Sequence, residues 1–179
     1  MKLRLKIFSL KRMVLSFLFL SGILLGLNSC KVSYSFTGTT IDPQIQTFSI
    51  QYFQNRAPVV QAQLSQVFTD ELRDRVQGQT RLELVSGFGD VDFSGEITNY
   101  ETRPTSITGD EVAALNRLTI TIRVEYTNSV NPDESFDTNF SRYEDYPSTQ
   151  SLADAEEELI ESIVDQIVED IFNRAFVNW

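Results

Sequence analysis

The chain has 179 residues with 15 basic and 25 acidic side chains, a formal net charge of −10, no histidine and one cysteine. Without histidine there is no Ser-His-Asp triad, no Cys-His dyad and no zinc site of the Cys/His type. No phosphate-binding or dinucleotide glycine motif occurs, and the acidic balance argues against nucleic acid, which is bound by neutralising phosphates with basic side chains.

Lys2, Arg4, Lys6, Lys11 and Arg12 form a basic opening with no acidic residue. Val14 to Leu27 follows as an apolar run of 14 residues. That length fits the ~7–15 residues of a secretory h-region and falls short of the ~20 a spanning helix needs. Next comes "LNSC", with Leu27 three residues before Cys30 and the small Ser29 just before it. A lone cysteine can be a buried small side chain, a reactive thiol or an attachment point, and this position selects the third. The stretch resembles the lipobox of bacterial lipoproteins, in which the cysteine is lipidated and becomes the first residue of the mature chain. Residues 1–29 are then a signal peptide and Cys30 carries the membrane anchor, a covalent lipid. Each buried methylene contributes about 0.8 kcal/mol, so the several acyl chains of a lipoprotein hold firmly where one would not. Loss of residues 1–29 removes five basic residues and no acidic one, taking the charge from −10 to −15.

Residues 31–44, rich in Ser, Thr and Gly, read as a tether to a single domain over 45–179. From Gln46 to Phe53 the sequence places Phe48, Ile50 and Tyr52 at period two, which predicts a strand with one buried face. Asn55 as cap and Pro58 in the first turn predict a helix from about Pro58 to Gln77, ended by Gly78, with Leu64, Val67, Phe68, Leu72 and Val76 on one stripe. "RLELV" predicts a short strand, and Val91, Phe93 and Ile97 one face of the next. Leu118, Ile120, Ile122, Val124 and Tyr126 alternate with polar residues, the clearest half-buried strand in the chain. "NPDE" turns into a strand carrying Phe136, Thr138 and Phe140. From a Ser151 cap, the apolar residues between Leu152 and Phe176 follow an i, i+3, i+4 pattern too wide for a coiled-coil seam, so this helix is expected on a sheet. The sum is an α+β fold: a two-layer sandwich of a mixed, mostly antiparallel sheet with two helices packed on one face.

Two constellations bear on chemistry. Asp90, Asp92, Ser94, Gly95 and Glu101 have the spacing of an EF-hand calcium loop, but the flanking segments are not helical and Val91, Phe93 and Ile97 alternate, so the strand reading is preferred and no metal site is expected. Arg117 and Arg123 lie on the polar face of the Leu118 strand. They read either as a solvated face or as a contact site for a partner or anionic ligand, since arginine grips phosphate with two hydrogen bonds. The Arg103 to Leu115 connection, long for a hairpin, is a second candidate contact.

Through "YSFTGTTIDPQIQTFSIQYFQNRAPVV", "LSQVFTDELRD", "AALNRLTITIRVEYTN", "FSRYEDY" and "VEDIFNRAFVNW" the chain resembles the lipopolysaccharide-assembly lipoprotein family LptE, in the form found in the Bacteroidota. The resemblance implies a non-enzymatic lipoprotein that plugs the outer-membrane β-barrel LptD, assists its assembly and contacts lipopolysaccharide. Lys31, Val32 and Ser33 after the cysteine lack the acidic signals for other addresses, which implies the periplasmic face of the outer membrane. A general periplasmic adaptor for another envelope protein is the alternative. Cys30→Ser is expected to abolish fatty-acid labelling and move the protein from membranes to the soluble periplasmic fraction, measured by probe incorporation and fractionation.

Overall fold

The computed structural model describes residues 41–105 and 115–177. The signal peptide, Cys30, most of the tether and positions 106–114 of the long connection lie outside the described residues. The elements are β1 (Thr47–Ile50), β2 (Gln54–Asn55), α1 (Leu64–Gln79), β3 (Glu83–Leu84), β4 (Val91–Thr105), β5 (Leu115–Asn128), a 3-10 turn at Pro132–Glu134, β6 (Phe136–Pro147) and α2 (Leu152–Phe176). The six strands form one mixed sheet in the order β3-β1-β4-β5-β6, with β2 also on β4. β4, β5 and β6 are antiparallel neighbours, whereas β1 and β2 run parallel to β4 and β3 runs parallel to β1. This is the α+β arrangement that the pattern of elements predicts.

β5 behaves as its alternation dictates: Leu118, Ile120, Ile122, Val124 and Tyr126 are all buried. Helix α2 covers that face. Ser151 caps it, its Oγ accepting the Asp154 N–H at 3.3 Å, and Ile163, Ile167 and Ile171 have no exposed surface. Its stripe joins the sheet and Leu64, Phe68, Leu72 and Val76 of α1 in a single core. At the end of the sheet where β4 begins, Phe93, Tyr126, Phe136, Phe172 and Phe176 close the layers with ring centroids 4.9 to 6.2 Å apart.

The first strand departs from expectation. Pairing with β4 runs from Phe48↔Val91 to Ile50↔Phe93 and resumes at Gln54↔Glu96, so an advance of four residues on one side faces an advance of three on the other. The extra residue reverses the alternation. Tyr52 is therefore 58% exposed and Phe53 is fully buried in its place. Gly95 makes the room: at φ 152° its missing Cβ would lie 2.7 Å from the Phe53 ring and 2.0 Å from the Arg123 carbonyl.

Helix α1 also starts later than predicted, at Leu64. Asn55 does not cap it. The Asn55 side chain accepts the Ala57 N–H and donates to the Gln61 carbonyl, and it is Gln61 Oε1 that takes the N–H groups of Gln63 and Leu64 at 2.7 and 2.8 Å. The connection from sheet edge to helix layer uses up Pro58 to Ala62, leaving Val59 and Val60 exposed. Gly78 lies inside the helix, which ends where the Thr80 N–H and hydroxyl both turn back to the Val76 carbonyl.

Ile167→Ala is expected to destabilise the domain by about 2 to 5 kcal/mol, the cost of an aliphatic truncation in a closed core. Urea unfolding measures it. Unchanged monomer stability together with loss of an oligomer would assign the stripe to a seam between chains instead.

Candidate docking surface on the helix-free sheet face

Because α1 and α2 share one side, the residues that alternate with the core on β5, β6 and β4 beyond Asp92 stand on a helix-free face, whose β1 corner is crossed by the loop from β3 to β4. Arg117 and Arg123 project there from β5. The register sets Arg117 opposite Asp145 of β6, and its Nε and Nη2 donate to the two carboxylate oxygens at 2.7 and 2.8 Å. Its guanidinium also lies 3.6 Å above the Tyr143 ring. Arg123 is opposite Asn139 and reaches along β6 to Asp137, donating from Nε at 2.9 Å and again from Nη2. On β4, Arg103 pairs with Glu101 at 2.7 Å, and at the β2 edge Arg56 pairs with Glu96 at 3.1 Å.

These pairings change the chemistry available. The hydrogen bonds from Arg117 and Arg123 hold the Asp145 and Asp137 carboxyls below the usual carboxylate range, and the same bonds push both guanidinium groups up. Both forks are occupied, so a phosphate would have to displace a carboxylate to be gripped. The face is rich in hydrogen-bonding groups, with its arginines paired to carboxylates and Glu125 left without a cationic partner among the described residues, which suits another polar protein surface. Of the Arg103 to Leu115 connection, Arg103 to Thr105 belong to β4 and Leu115 to β5.

The calcium-like spacing resolves into structure. Asp90 to Glu101 lies in and just before β4, extended against β5. Asp90 Oδ2 accepts the N–H groups of Gln46 and Thr47 and the Thr47 hydroxyl, each at 2.9 Å. Asp92 accepts from the Ser49 hydroxyl and from Gln51 Nε2. These two carboxylates fasten β1 to β4, a role that the sequence reading missed. Its signal was there: Thr47 and Ser49 alternate as Asp90 and Asp92 do, and the parallel register sets Ser49 against Asp92.

Two clefts flank the first half of α2. One, about 250 Å³, is lined by Gln61, Gln63, Val67 and the glutamates 156, 157 and 161. The other, about 270 Å³, is lined by Glu144, Tyr146, Glu158 and Ser162 among others. The Tyr100 hydroxyl donates to Glu156 beside the first, and burial together with that carboxylate pushes the phenol well above its usual range. Among the described residues the Tyr126 hydroxyl alone is buried without a hydrogen-bond partner. The Tyr126 ring packs against Phe93, Phe136 and Phe176, and burial pushes its phenol up as well.

A mixed sheet closed by helices on one side and left polar on the other makes this a small α+β domain. The chain belongs to the LptE lipopolysaccharide-assembly family, whose model matches residues 45–175. No curated protein sequence matches the chain significantly. Among solved structures, a hypothetical protein of Chlamydia trachomatis has the same fold, with a TM-score of 0.51 at 10% identity over 75% of this chain and 99% of its own. A minor lipoprotein of Acinetobacter baumannii matches at 0.48 with 11% identity over 73% and 92% of the two chains. An uncharacterized lipoprotein B of Nitrosomonas europaea matches at 0.43 with 18% identity over 71% and 79%.

The pH dependence of stability follows from Asp90. Hydrogen bonds from the Gln46 and Thr47 backbone lower its pKa on folding. A carboxyl lowered in this way contributes stability above its unfolded pKa of about 3.9, and the contribution is lost as pH falls through the folded value. Thermal unfolding between pH 6 and pH 2 should therefore show an acid-side loss that is smaller in Asp90→Ala than in the parent chain.

Proposed function

We propose that this chain is a non-enzymatic outer-membrane lipoprotein of lipopolysaccharide export, anchored through Cys30 at the periplasmic face, which docks to an LptD-like β-barrel, assists its assembly and plugs its lumen. The observation that carries this reading is the LptE family match across 45–175, nearly all of the described domain. The surface is compatible with it. The inside of an outer-membrane barrel is polar, and a plug must meet it with satisfied hydrogen-bonding groups. The helix-free face offers arginines already neutralised by Asp137 and Asp145.

Direct capture of lipopolysaccharide phosphates finds less support. Beyond Cys30 the only lysine is Lys31, so the cations of the domain are arginines. Seven of its nine arginines, Arg56, Arg73, Arg75, Arg103, Arg117, Arg123 and Arg142, stand within 4.0 Å of a carboxylate, which leaves Arg81 and Arg174 outside such pairs.

Charge reversal in the double variant Arg117→Glu, Arg123→Glu is expected to lower co-purification of the barrel at equal bait levels. Exposed pairs contribute only about 0 to 1 kcal/mol each, so the fold should survive, with thermal unfolding as the control. Full barrel recovery by the folded variant would move the docking surface elsewhere. Recovery of a different envelope protein in place of a barrel would establish the adaptor reading.

A further inference from the structure

The main path of the sheet ends in β3 on one side and β6 on the other. β3 closes its edge with two residues, whereas β6 closes the other with 12. An edge strand offers a row of unpaired backbone groups as a template for another chain, and native sheets blunt it with lysine, proline or a bulge. β6 has none of these before Pro147. Its register on β5 runs unbroken from Tyr126↔Phe136 to Leu115↔Pro147, and it holds no lysine. Three of its charged side chains do not guard the edge either: Asp137 and Asp145 fold back onto Arg123 and Arg117, and Arg142 onto Asp170.

The ladder decides which groups are left over. The Gln51 N–H donates to the Phe93 carbonyl, so Phe93 turns its backbone toward β1, and Tyr126 opposite it turns toward β6. The Asn128 N–H, two residues on, likewise points to the β6 side, where it donates to Ser135 Oγ. Alternation then assigns the bonds with β5 to Phe136, Thr138, Phe140, Arg142 and Glu144. The N–H and C=O groups of Asp137, Asn139, Ser141, Tyr143 and Asp145 point outward, where no described strand lies beyond them. All five residues are exposed.

Charge selects the occupant. A strand laid along this edge sends every second side chain to the helix side, where β6 carries Glu144. Glu144 accepts from Ser162 Oγ at 2.9 Å and Gln166 Nε2 at 2.7 Å, and it has no cationic partner among the described residues. With Tyr146, Gln150, Glu158 and Ser162 it lines the cleft of about 270 Å³ between the end of β6 and α2, a cleft that no basic residue lines. A second copy of the chain would bring the same carboxylates and the same net negative charge, so like charge opposes it. We propose that the outer edge of β6 takes an extended polypeptide segment of a protein partner as a further strand, with a lysine or arginine of that segment opposite Glu144 and directed into the cleft toward Glu158. The strands of a closed barrel wall are paired on both sides, so this segment lies outside any wall, and the inference goes beyond the barrel reading. It is compatible with docking through the helix-free face, because the outward residues of β6 share that face with Arg117 and Arg123, and the added strand widens it.

The test uses the full chain, isotope-labelled and held in detergent micelles, with capped peptides of alternating threonine and valine, about nine residues long as in an ordinary strand. One peptide carries a central lysine and the other a central glutamate. The lysine peptide should slow amide exchange at Asn139, Ser141 and Tyr143 by about tenfold or more, and leave Phe140 and Arg142, already bonded to β5, as they were. The glutamate peptide should bind about tenfold more weakly, a difference of about 1.4 kcal/mol. Asn139→Pro removes one outward N–H and no bond to β5, a change that edge strands tolerate. It should abolish the protection while the melting temperature holds, and Glu144→Gln should erase the preference for lysine. Exchange that stays fast at the three outward amides, or slows equally at Phe140 and Arg142, overturns strand addition. Equal affinity for the two peptides overturns the basic occupant. Protection that grows with chain concentration in the absence of peptide replaces the partner with a second copy.

Discussion

The inner face of β5 must be kept from water, and most of the architecture follows from that. Five large apolar side chains, from Leu118 to Tyr126, project from one side of a 14-residue strand. At about 3.4 Å per residue such a strand is about 48 Å long, and only a helix of comparable length covers much of it. Helix α2, with 25 residues at about 1.5 Å each, reaches about 37 Å. Its stripe from Ala155 to Phe176 meets the sheet, and α1 lies beside it in the same core, Phe68 against Phe53 next to β2. With both helices drawn to one side, the other side of the sheet is left open, and the polar alternation of β5 becomes the surface available to a partner.

β4 is where the two halves of the domain are joined. One edge carries the antiparallel partner β5, and the other carries β1 and then β2 in parallel. Such short parallel strands are weak alone, and Asp90 and Asp92 supplement them with charge-assisted hydrogen bonds to the backbone and hydroxyl groups of β1. Gly95 does a different job on the same strand. By leaving out a Cβ opposite the extra residue of the β1–β2 segment, it lets Phe53 reach the core and meet Phe68 at 4.9 Å between ring centroids.

Charge is distributed with the same economy. The domain has few cations, and the arginines of the open face are held by carboxylates across or along the strands. Exposed pairs of this kind contribute little stability. Their consequence is for recognition: a surface patterned with paired charges sets the orientation of a partner and discriminates between partners more than it strengthens binding. The surplus acid sits on α2, which carries eight acidic side chains and only Arg174 as a cation of its own, on the side away from the proposed docking face. A barrel-docking role assigns distinct tasks to the two sides, contact to one and solvation to the other.

Elements whose signal is local and repetitive are legible in the residues themselves. The alternation of β5 and the stripe of α2 each repeat often enough that one register alone buries their apolar side chains, and the one-sidedness of both fixed the layer arrangement. The expectation drawn from "LNSC" after its apolar run is likewise a local one. Other features depend on which strand lies beside which, and no local pattern announces them. The burial of Phe53 in place of Tyr52 comes from one extra residue facing Gly95, which is far from it in the chain and in contact with it in the sheet. The start of α1 at Leu64 comes from the distance the chain must cross from sheet edge to helix layer. Asp90 and Asp92 have the spacing of a metal loop in one dimension, and they became fasteners because a parallel strand brought Thr47 and Ser49 to them. Arg117 and Arg123 look free in the sequence and are paired in the fold, since the β5–β6 register sets acidic side chains within reach. Local periodicity is written in neighbouring residues, whereas pairing is settled by contacts that exist only once the sheet has formed.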